Sequence, residues 1–348
     1  MYALELAGED DRFAAAEAES AATGVEVVAP GLATATAVTD RVRTLAYTHR
    51  ASELVGRTDA SVESARVLLD ACEFDRHEAA SEGDVESASD REGTEPDRRQ
   101  TVAVRARDVR DTAGIDTQHA ERELGAVLVD RGFAVDLDDP DHELRAVFSE
   151  DTCLLGWLEV ESVRDYGTRK PTDRPFFQPG GMDPLLARAL VNLAGARPGA
   201  TLLDPMCGTG GVLVEAGLVG ATPLGADAQR KMARGAAENL ERYLGADDRA
   251  TGEWATLQGD ATHLPFPDDS IDAVVFDAPY GRQSKIANLD LDDLVAGALA
   301  EARRVADRAV VVGDRSWAGA ARAEGWTIEG EFERRVHRSL DRHIVVLR

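Results

Sequence analysis

The sequence predicts an α/β protein in which a small α+β module precedes a domain built on a parallel sheet. From residue 183 onwards, five apolar strand segments alternate with helical segments, an order that requires a parallel sheet with helices on both faces. Before residue 163, strand segments outnumber helices, which is typical of an α+β fold. Two strand segments after residue 327 predict an antiparallel hairpin at the end of the sheet.

The first 72 residues predict an α+β piece. Alternation in residues 2–7 predicts a strand, and the Ala/Glu-rich residues 10–23 predict a helix. An amphipathic pattern predicts one or two helices within residues 52–72. Further short strands are predicted at residues 25–28, 34–38 and 44–48.

Residues 73–99 differ in composition from the rest of the chain. They contain ten acidic and four basic residues, and Phe74 is their only aromatic residue. Such a segment cannot bury enough apolar surface to offset the entropy of ordering it. We therefore predict a flexible acidic insert here.

Residues 100–163 predict the rest of the α+β module. Asp116 or Thr117 can cap a helix over residues 116–131, which has an apolar face. A Pro- and Arg-rich connector, residues 164–182, follows. The strands of the module are predicted at residues 101–109, 142–150 and 153–162.

The second predicted domain comprises residues 183–348. Asp183 can cap and Pro184 can begin its first helix, which ends near Gly195. Strands and helices then alternate. The strands are predicted at residues 201–204, 223–226, 254–258, 271–276 and 309–313, and the helices at 211–219, 228–244, 291–306 and 316–324.

The charge balance is strongly acidic. The chain has 64 acidic and 39 basic residues, a formal net charge of −25, and only three lysines. Because the acid is spread along the whole chain, we interpret it as adaptation to a salt-rich cytoplasm, with an ordinary acidic protein as the alternative. In such salt the Debye length falls to about 3 Å or less. Net charge therefore does not exclude nucleic acid as a partner, although phosphate binding relies on Lys and Arg.

Composition excludes several other classes. No run approaches the roughly 20 apolar residues of a membrane span, and the N-terminus lacks the pattern of a secretory signal. Cys72, Cys153 and Cys207 lie far apart and form no Cys/His cluster, so we predict neither a disulfide framework nor a metal site. A reduced, cytoplasmic protein is expected.

Residues 202–216, LLDPMCGTGGVLVEA, predict a strand that ends at Asp204, a glycine-rich turn and a helix. Glycines let the backbone approach a ligand and expose N–H groups at a helix N-terminus. Dinucleotide-binding enzymes and methyltransferases share this Rossmann-like arrangement. A glycine turn that only connects two elements is the structural alternative.

Acidic residues follow the next two predicted strands. A carboxylate at Asp227 can accept both hydroxyl groups of a ribose, or it can cap the following helix. Asp260, after the third strand, is placed to accept from an adenine amine. Together with the glycine turn, the two acids predict a pocket for S-adenosylmethionine, because NAD enzymes do not usually need the third acid.

The fourth strand ends in Asp277-Ala278-Pro279-Tyr280-Gly281. An amine attached to an aromatic ring is a poor nucleophile because its lone pair is delocalised. A carboxylate and a backbone carbonyl that accept its two N–H groups would aim that lone pair at a methyl group, and a tyrosine ring can stack on an extruded base. The motif predicts methylation of an exocyclic base amine.

These motifs resemble those of the THUMP-containing tRNA guanine-N2 methyltransferases. The resemblance rests on RPFFQPGGMDP (174–184), DPMCGTGG (204–211) and DAPYG (277–281), and residues 335–346 resemble the closing hairpin of the family. The archaeal subgroup that methylates guanine-10 of tRNA, often twice, is the most similar. The family usually has Pro where this chain has Ala278.

The resemblance implies a Rossmann-like methyltransferase domain over residues 183–348. Before it would lie a ferredoxin-like piece with the start of a THUMP domain (1–72), then the rest of THUMP (100–163). It also implies S-adenosylmethionine as cofactor and no metal. The implied catalytic residues are Asp277, Ala278, Pro279 and Tyr280, and the implied cofactor-binding residues are Phe177, Gln178, Pro179, Asp204, Cys207, Gly208, Gly210, Gly211, Asp227, Ala228, Asp260 and Ala261.

The implied partner is tRNA, held by THUMP at its acceptor end, with no membrane, DNA or obligatory protein partner. Arginines within residues 41–57, 98–110 and 164–174 are candidates for backbone contacts. Alternatives are an N2 methyltransferase for another tRNA guanine or for rRNA, and a non-catalytic or partner-dependent RNA-binding subunit.

Overall fold

The computed structural model describes residues 1–72, 99–245, 253–280, 290–337 and 340–348. Apart from Arg99, the predicted acidic insert lies outside the described residues, so its flexibility stays a prediction.

The described chain divides into two compact units. The first comprises Met1–Asp11, Ala22–Asp40 and Thr48–Glu161. The second comprises Arg12–Ala21, Arg41–Tyr47 and Ser162–Arg348, and so includes most of helix α1 (Asp11–Ala18). The domain boundaries derived from the sequence stay a prediction.

The first unit is an α+β structure on one large sheet. Helices α2 (Val62–Ala71) and α3 (Thr117–Asp130) contribute to its apolar core, and a two-stranded ribbon joins β2 (Ala22–Thr23) to β5 (Ala37–Val38). The large sheet comprises β1 (Tyr2–Leu6), β3 (Glu26–Ala29), β4 (Leu32–Ala35), β6 (Thr48–Asp59), β7 (Thr101–Asp108), β8 (Ala134–Val135), β9 (His142–Ser149) and β10 (Thr152–Glu161), in the order β3-β4-β1-β6-β10-β9-β7-β8.

The strand predicted at residues 44–48 is wrong, and of the helical prediction for residues 52–72 only the second part, which contains α2, is confirmed. A 3-10 helix covers Asp40–Thr44, and the twelve residues that follow residue 47 form the single strand β6. This strand pairs with β1 on one edge and β10 on the other, so that Glu53 lies opposite both Tyr2 and Trp157. Hydrogen bonding on both edges outweighs the helical preference of its Ala and Glu residues, because tertiary context overrides propensity.

The second unit is a doubly wound α/β structure with a seven-stranded sheet, as predicted. Its five parallel strands are followed by an antiparallel hairpin. The strands are β11 (Thr201–Asp204), β12 (Thr222–Asp227), β13 (Ala255–Gln258), β14 (Ala273–Asp277), β15 (Ala309–Gly313), β16 (Ile328–His337) and β17 (Leu340–Leu347), in the order β13-β12-β11-β14-β15-β17-β16. The helices are α4 (Pro184–Ala194), α5 (Gly211–Leu218), α6 (Arg230–Leu244), α7 (Leu291–Val305) and α8 (Ala318–Ala323).

The strand order reverses between β11 and β14. From β11 the chain runs outward through β12 and β13, then returns to pair β14 with the other edge of β11. Ligands of open α/β sheets bind at the carboxyl ends of the strands beside such a reversal. Two of the predicted site residues, Asp204 and Asp277, are the last residues of these two strands.

No helix in the described part of the chain is long and apolar enough to cross a membrane.

Candidate active site

The glycine loop joins β11 to α5. Gly208 and Gly210 have φ angles of 52° and 76°, in the left-handed region that favours glycine. A Cβ atom on Gly210 would lie 3.0 Å from the Cβ of Ala236, whereas one on Gly208 would meet only the end of Met232, at 3.9 Å. Open space beside Gly208 is what a bound ligand requires, and α5 begins at Gly211 with its first N–H groups at the same place.

Asp227 is tied directly to this loop. Its carboxylate accepts the N–H of Gly208 at 3.1 Å and the N–H of Gln229 at 2.8 Å. Burial raises the pKa of Asp227, while the two backbone hydrogen bonds oppose that rise. The carboxylate keeps lone pairs for a ribose, and it also caps the turn after β12, so the two sequence interpretations are compatible. Ala228, next to it, accepts the side-chain amide of Gln258 through its carbonyl at 3.0 Å.

Asp260 has an exposed carboxylate. It accepts the N–H and the hydroxyl group of Thr262 at 2.9 and 2.8 Å, and the backbone N–H of Thr262 is the main reason why the pKa of Asp260 is lowered. Its side chain is 56% exposed, while the following Ala261 is buried. The carboxylate of Asp260 is therefore an ionised acceptor that a ligand at the end of β13 can reach.

Asp204 is buried at the reversal point. Its carboxylate accepts the N–H of Met206 at 3.0 Å. Burial raises the pKa of Asp204 well above its usual value, and the neighbouring carboxylates of Asp277 and Asp227 raise it further. Cys207 is buried too, with its sulfur packed towards Gly225, and burial raises the pKa of its thiol. The Cys207 side chain therefore packs in the glycine loop and stays a protonated thiol.

The end of the connector is fixed beside the glycine loop by Asn239, which the sequence analysis missed. The side chain of Asn239 accepts the N–H of Phe176 at 3.0 Å and donates to the carbonyl groups of Phe176 and Thr209 at 2.9 and 2.8 Å. The Phe176 ring covers Gly235, where a Cβ atom would lie 2.0 Å from the ring. The predicted Phe177 is 44% exposed, Gln178 is half-buried and Pro179 is exposed.

A buried glutamate on α5 holds the earlier part of the connector. Glu215 on α5 is fully buried, accepts a hydrogen bond from Arg169 Nε at 2.8 Å and forms an ion pair with Arg188, whose Nη2 lies 2.7 Å away. Two of the candidate RNA-contacting arginines in the first unit are engaged in the same way. Arg50 and Arg107 lie 3.9 and 3.3 Å from the buried carboxylate of Glu5.

The predicted catalytic motif follows β14. Asp277 accepts a hydrogen bond from the Tyr280 hydroxyl group, and Ala278 donates its N–H to the carbonyl of Val312 on β15 at 2.8 Å. Burial raises the pKa of Asp277 to about 6, against the opposing effects of Arg342 and of the Tyr280 hydrogen bond. Burial also raises the pKa of Tyr280, which is therefore a neutral phenol. Pro279 is half-buried between them.

Arg342 was missed by the sequence analysis. It lies on β17, donates its Nε–H to the Tyr280 hydroxyl oxygen at 3.0 Å and places Nη2 3.6 Å from Oδ2 of Asp277. No sequence motif joins residues 277 and 342. Only the antiparallel pairing of β17 with β15 brings them together, because His343 then lies opposite Gly313.

Comparison with known proteins assigns the chain to a family. A model of the RMKL-like methyltransferase domain matches residues 171–344. The tRNA (guanine(10)-N2)-dimethyltransferase of Methanothermobacter thermautotrophicus is 36% identical over 245 residues, which cover 70% of this chain and 64% of that protein. The enzyme of the same name from Pyrococcus abyssi is 31% identical over 252 residues, which cover 71% of this chain and 74% of that protein. The chain belongs to the tRNA (guanine(10)-N2)-dimethyltransferase family.

The region that matches the family model contains the site residues described above. It begins in the connector, includes the glycine loop and the four carboxylates, and ends in β17 two residues after Arg342. Among solved structures, TrmN from Thermus thermophilus is 21% identical, with a TM-score of 0.48 over 99% of this chain and 98% of that one. For this member of the tRNA (guanine(10)-N2)-dimethyltransferase family, the match to the Methanothermobacter relative spans less than two thirds of that protein's length.

Proposed function

We propose that the chain is an S-adenosylmethionine-dependent enzyme that methylates the N2 amine of guanine-10 in tRNA, once or twice. The relatives named for that activity support the substrate. One observation above all supports the reaction type. The hydrogen-bonded residues Asp277 and Tyr280 lie at the end of β14, and β14 pairs with β11, the strand that leads into the glycine loop.

The cofactor fits the carboxyl edge of the sheet. Asp227 and Asp260 offer acceptors for a ribose and an adenine amine, and the open space beside Gly208 is where the rest of the molecule would approach the glycine loop. Cys207, Gly210, Gly211, Ala228 and Ala261 would line the same site through backbone and small side chains, and Asp204 would form its floor. When bound, S-adenosylmethionine supplies an electrophilic methyl group and leaves as a neutral thioether.

Asp277 is the group that acts on the guanine amine. Its Oδ2 accepts one N2–H, and the carbonyl of Ala278 accepts the other, so that the nitrogen lone pair turns out of the plane of the base. As the N–C bond forms and the S–C bond breaks, the nitrogen loses one proton, which Asp277 accepts. The Tyr280 ring provides a face on which an extruded base stacks, and Pro279 stiffens the turn.

The remaining parts of the proposal concern RNA binding. The α+β unit would act as the THUMP-containing part that holds the acceptor end of tRNA. With tRNA as substrate, we place the enzyme in the cytoplasm, acting without a protein partner and without DNA binding. Adaptation to high salt stays a prediction.

The test is methylation of unmodified tRNA by the purified chain alone, followed by mass mapping of the nucleosides. We expect N2-methylguanine and N2,N2-dimethylguanine at position 10. Methyl groups at another guanine would refute the position, and activity only with an added protein would refute the proposal that no partner is needed. Absence of any methyl transfer with such a protein present would refute the function.

A further inference from the structure

Arg342 is a buried cation beside the proposed catalytic carboxylate. Its side chain is only 4% exposed, whereas the Asp277 side chain is 22% exposed. The guanidinium contacts Tyr280 through a hydrogen bond to the hydroxyl oxygen and lies 5.9 Å from the centre of the ring. A charge that is withdrawn from water in this way requires an anionic partner, and Asp277 is the carboxylate within ion-pair distance among the described residues.

The chemistry of the three groups fixes the direction of their hydrogen bonds. A guanidinium can only donate, so the Tyr280 oxygen accepts from Arg342. The single phenolic proton is therefore available to Asp277 Oδ1, which must act as an acceptor. The hydrogen bonds from Arg342 to Tyr280 and from Tyr280 to Asp277 engage Oδ1 of Asp277. Oδ2 of Asp277 is then the oxygen that can accept a hydrogen bond from a substrate amine.

A second carboxylate near Asp277 opposes its ionisation. Asp314, just after β15, raises the pKa of Asp277, and the charge of Asp277 in turn raises the pKa of Asp204 at the end of β11. On β17, Arg342 supplies the opposite charge, and the Tyr280 hydroxyl group supplies the hydrogen bond.

We propose that Arg342 is a positioning residue that keeps Asp277 ionised and fixes its rotamer through the Tyr280 hydroxyl group. This inference rests on the proposed function, because its purpose is to present Asp277 Oδ2 to a guanine amine. Arg342 does not contact the amine itself. Loss of its charge raises the pKa of Asp277 and frees the carboxylate to rotate.

The test is the pH dependence of single-turnover methyl transfer to tRNA, measured for wild type, Arg342→Met and Arg342→Lys. For Arg342→Met we expect the acid limb to move up by roughly one unit, because an opposite charge within about 4–6 Å lowers a carboxyl pKa by 1–3 units. That shift alone lowers the rate at pH 7 about twofold. The loss of the fixed rotamer should bring the total decrease to at least about tenfold. Arg342→Lys keeps the charge and should keep the wild-type acid limb. Its plateau rate should be lower, because the single ammonium group of lysine cannot contact both Asp277 and Tyr280 as the planar guanidinium does.

Arg335→Met is the matched control, because Arg335 lies on the neighbouring strand of the same hairpin and is exposed. It should leave the profile and the cofactor affinity unchanged. An Arg342→Met variant with the wild-type acid limb would overturn the inference, whether or not its plateau falls.

The inference and the proposed function fail in distinguishable ways. A carboxyl-carbon NMR titration of Asp277, assigned by comparison with Asp277→Asn, measures its pKa without any RNA. If wild type transferred no methyl group but the Asp277 pKa rose in Arg342→Met, the function would be wrong and the electrostatic role right. If wild type were active and this pKa did not move, the positioning role would be wrong.

Discussion

The carboxylates at the two sides of the carboxyl edge of the seven-stranded sheet differ in burial and in the direction of their pKa shifts. At β14, Asp277 lies in a poorly solvated position between a tyrosine and an arginine, and burial raises its pKa to about 6. After β13, Asp260 is exposed and accepts hydrogen bonds from the backbone and side chain of Thr262, and its pKa is lowered. Asp227 lies between these extremes: burial raises its pKa, and hydrogen bonds from two backbone N–H groups oppose that rise without cancelling it.

The difference predicts two roles for these carboxylates. A carboxylate with a pKa near neutrality can exchange a proton with a substrate, whereas one that backbone N–H groups hold ionised can only accept hydrogen bonds. We therefore assign proton chemistry to the β14 side and recognition of a neutral sugar and base to the β12 and β13 side. Substitutions on the two sides should consequently separate rate from affinity.

The largest effect is expected for Asp277→Ala. Loss of general-base help is typically worth about 10²–10⁴-fold, and loss of a contact to developing charge about 10²–10³-fold. We expect single-turnover methyl transfer to fall at least about 10³-fold while the cofactor Kd stays within a few-fold of wild type. Asp277→Asn should fall between wild type and Ala if hydrogen bonding dominates, and should match Ala if proton acceptance does. An Ala variant that kept a tenth of the wild-type rate would remove Asp277 from the mechanism.

The next effect, on affinity, is expected for Asp227→Ala. Hydrogen bonds to charged groups contribute about 1.5–3 kcal/mol, so we expect the cofactor Kd to rise roughly tenfold to a hundredfold by calorimetry. The rate at saturating cofactor should fall much less. Asp293→Ala, an exposed acid on α7, serves as the control. Tighter binding of NAD than of S-adenosylmethionine would contradict the assignment of this side of the sheet.

The pH dependence of the wild-type rate should follow Asp277. Because the ionised carboxylate is the form that accepts the proton, activity is present above its pKa and is lost as the pH falls through about 6. Below that point the rate should drop by roughly tenfold per pH unit. Asp260 should keep its charge between pH 7 and pH 5, since its pKa is lowered. Any weakening of cofactor binding on acidification should therefore come from Asp227, whose pKa is raised by burial. A parallel loss of cofactor binding would assign the acid limb to the other side of the sheet.

A smaller effect is expected for Asp260→Ala. Its carboxylate is largely exposed, and water competes with the adenine amine for it, so the net contribution of this hydrogen bond is only about 1 kcal/mol. Competition binding should show an increase in cofactor Kd of only a few-fold. A loss as large as that of Asp227→Ala would show that the two acids are equivalent, and the proposed gradient across the edge would be wrong.

The smallest effect is expected when residues 73–99 are replaced by a short Gly/Ser linker. The segment carries a net charge of −6 and almost no apolar surface. Turnover on tRNA should remain within a few-fold of wild type, and the cofactor Kd should not change. Loss of RNA binding, measured by filter retention, would assign the segment to RNA recognition.

Sequence patterns predicted the second unit better than the first for a physical reason. In the second unit the central strands β11, β14 and β15 are buried almost throughout, and each of them is followed by a helix. Apolar runs and caps such as Asp183 are therefore local signals. In the first unit, β6 is defined by partners about 50 and 100 residues away, and its sequence, THRASELVGRTD, carries no strand alternation. Local periodicity cannot report such pairing.

The candidate site divides in the same way. Residues in contiguous motifs, such as the glycine loop and Asp277 to Tyr280, could be proposed from spacing alone. Asn239 and Arg342 could not, because each acts through a contact between elements far apart in the chain. An arginine in a chain with 39 basic residues becomes informative only when its burial and its partners are known.

The place of Arg342 in the chain sets an order of events during synthesis. Tyr280 is translated 62 residues before the arginine that holds its hydroxyl group. At about 5–20 residues per second, the ribosome needs several seconds to cover that interval. The glycine loop and β14 therefore leave the ribosome before β17 can pair with β15. A nascent chain can form most of the cofactor edge while its catalytic carboxylate still lacks the cation, and the site is completed only when the hairpin folds.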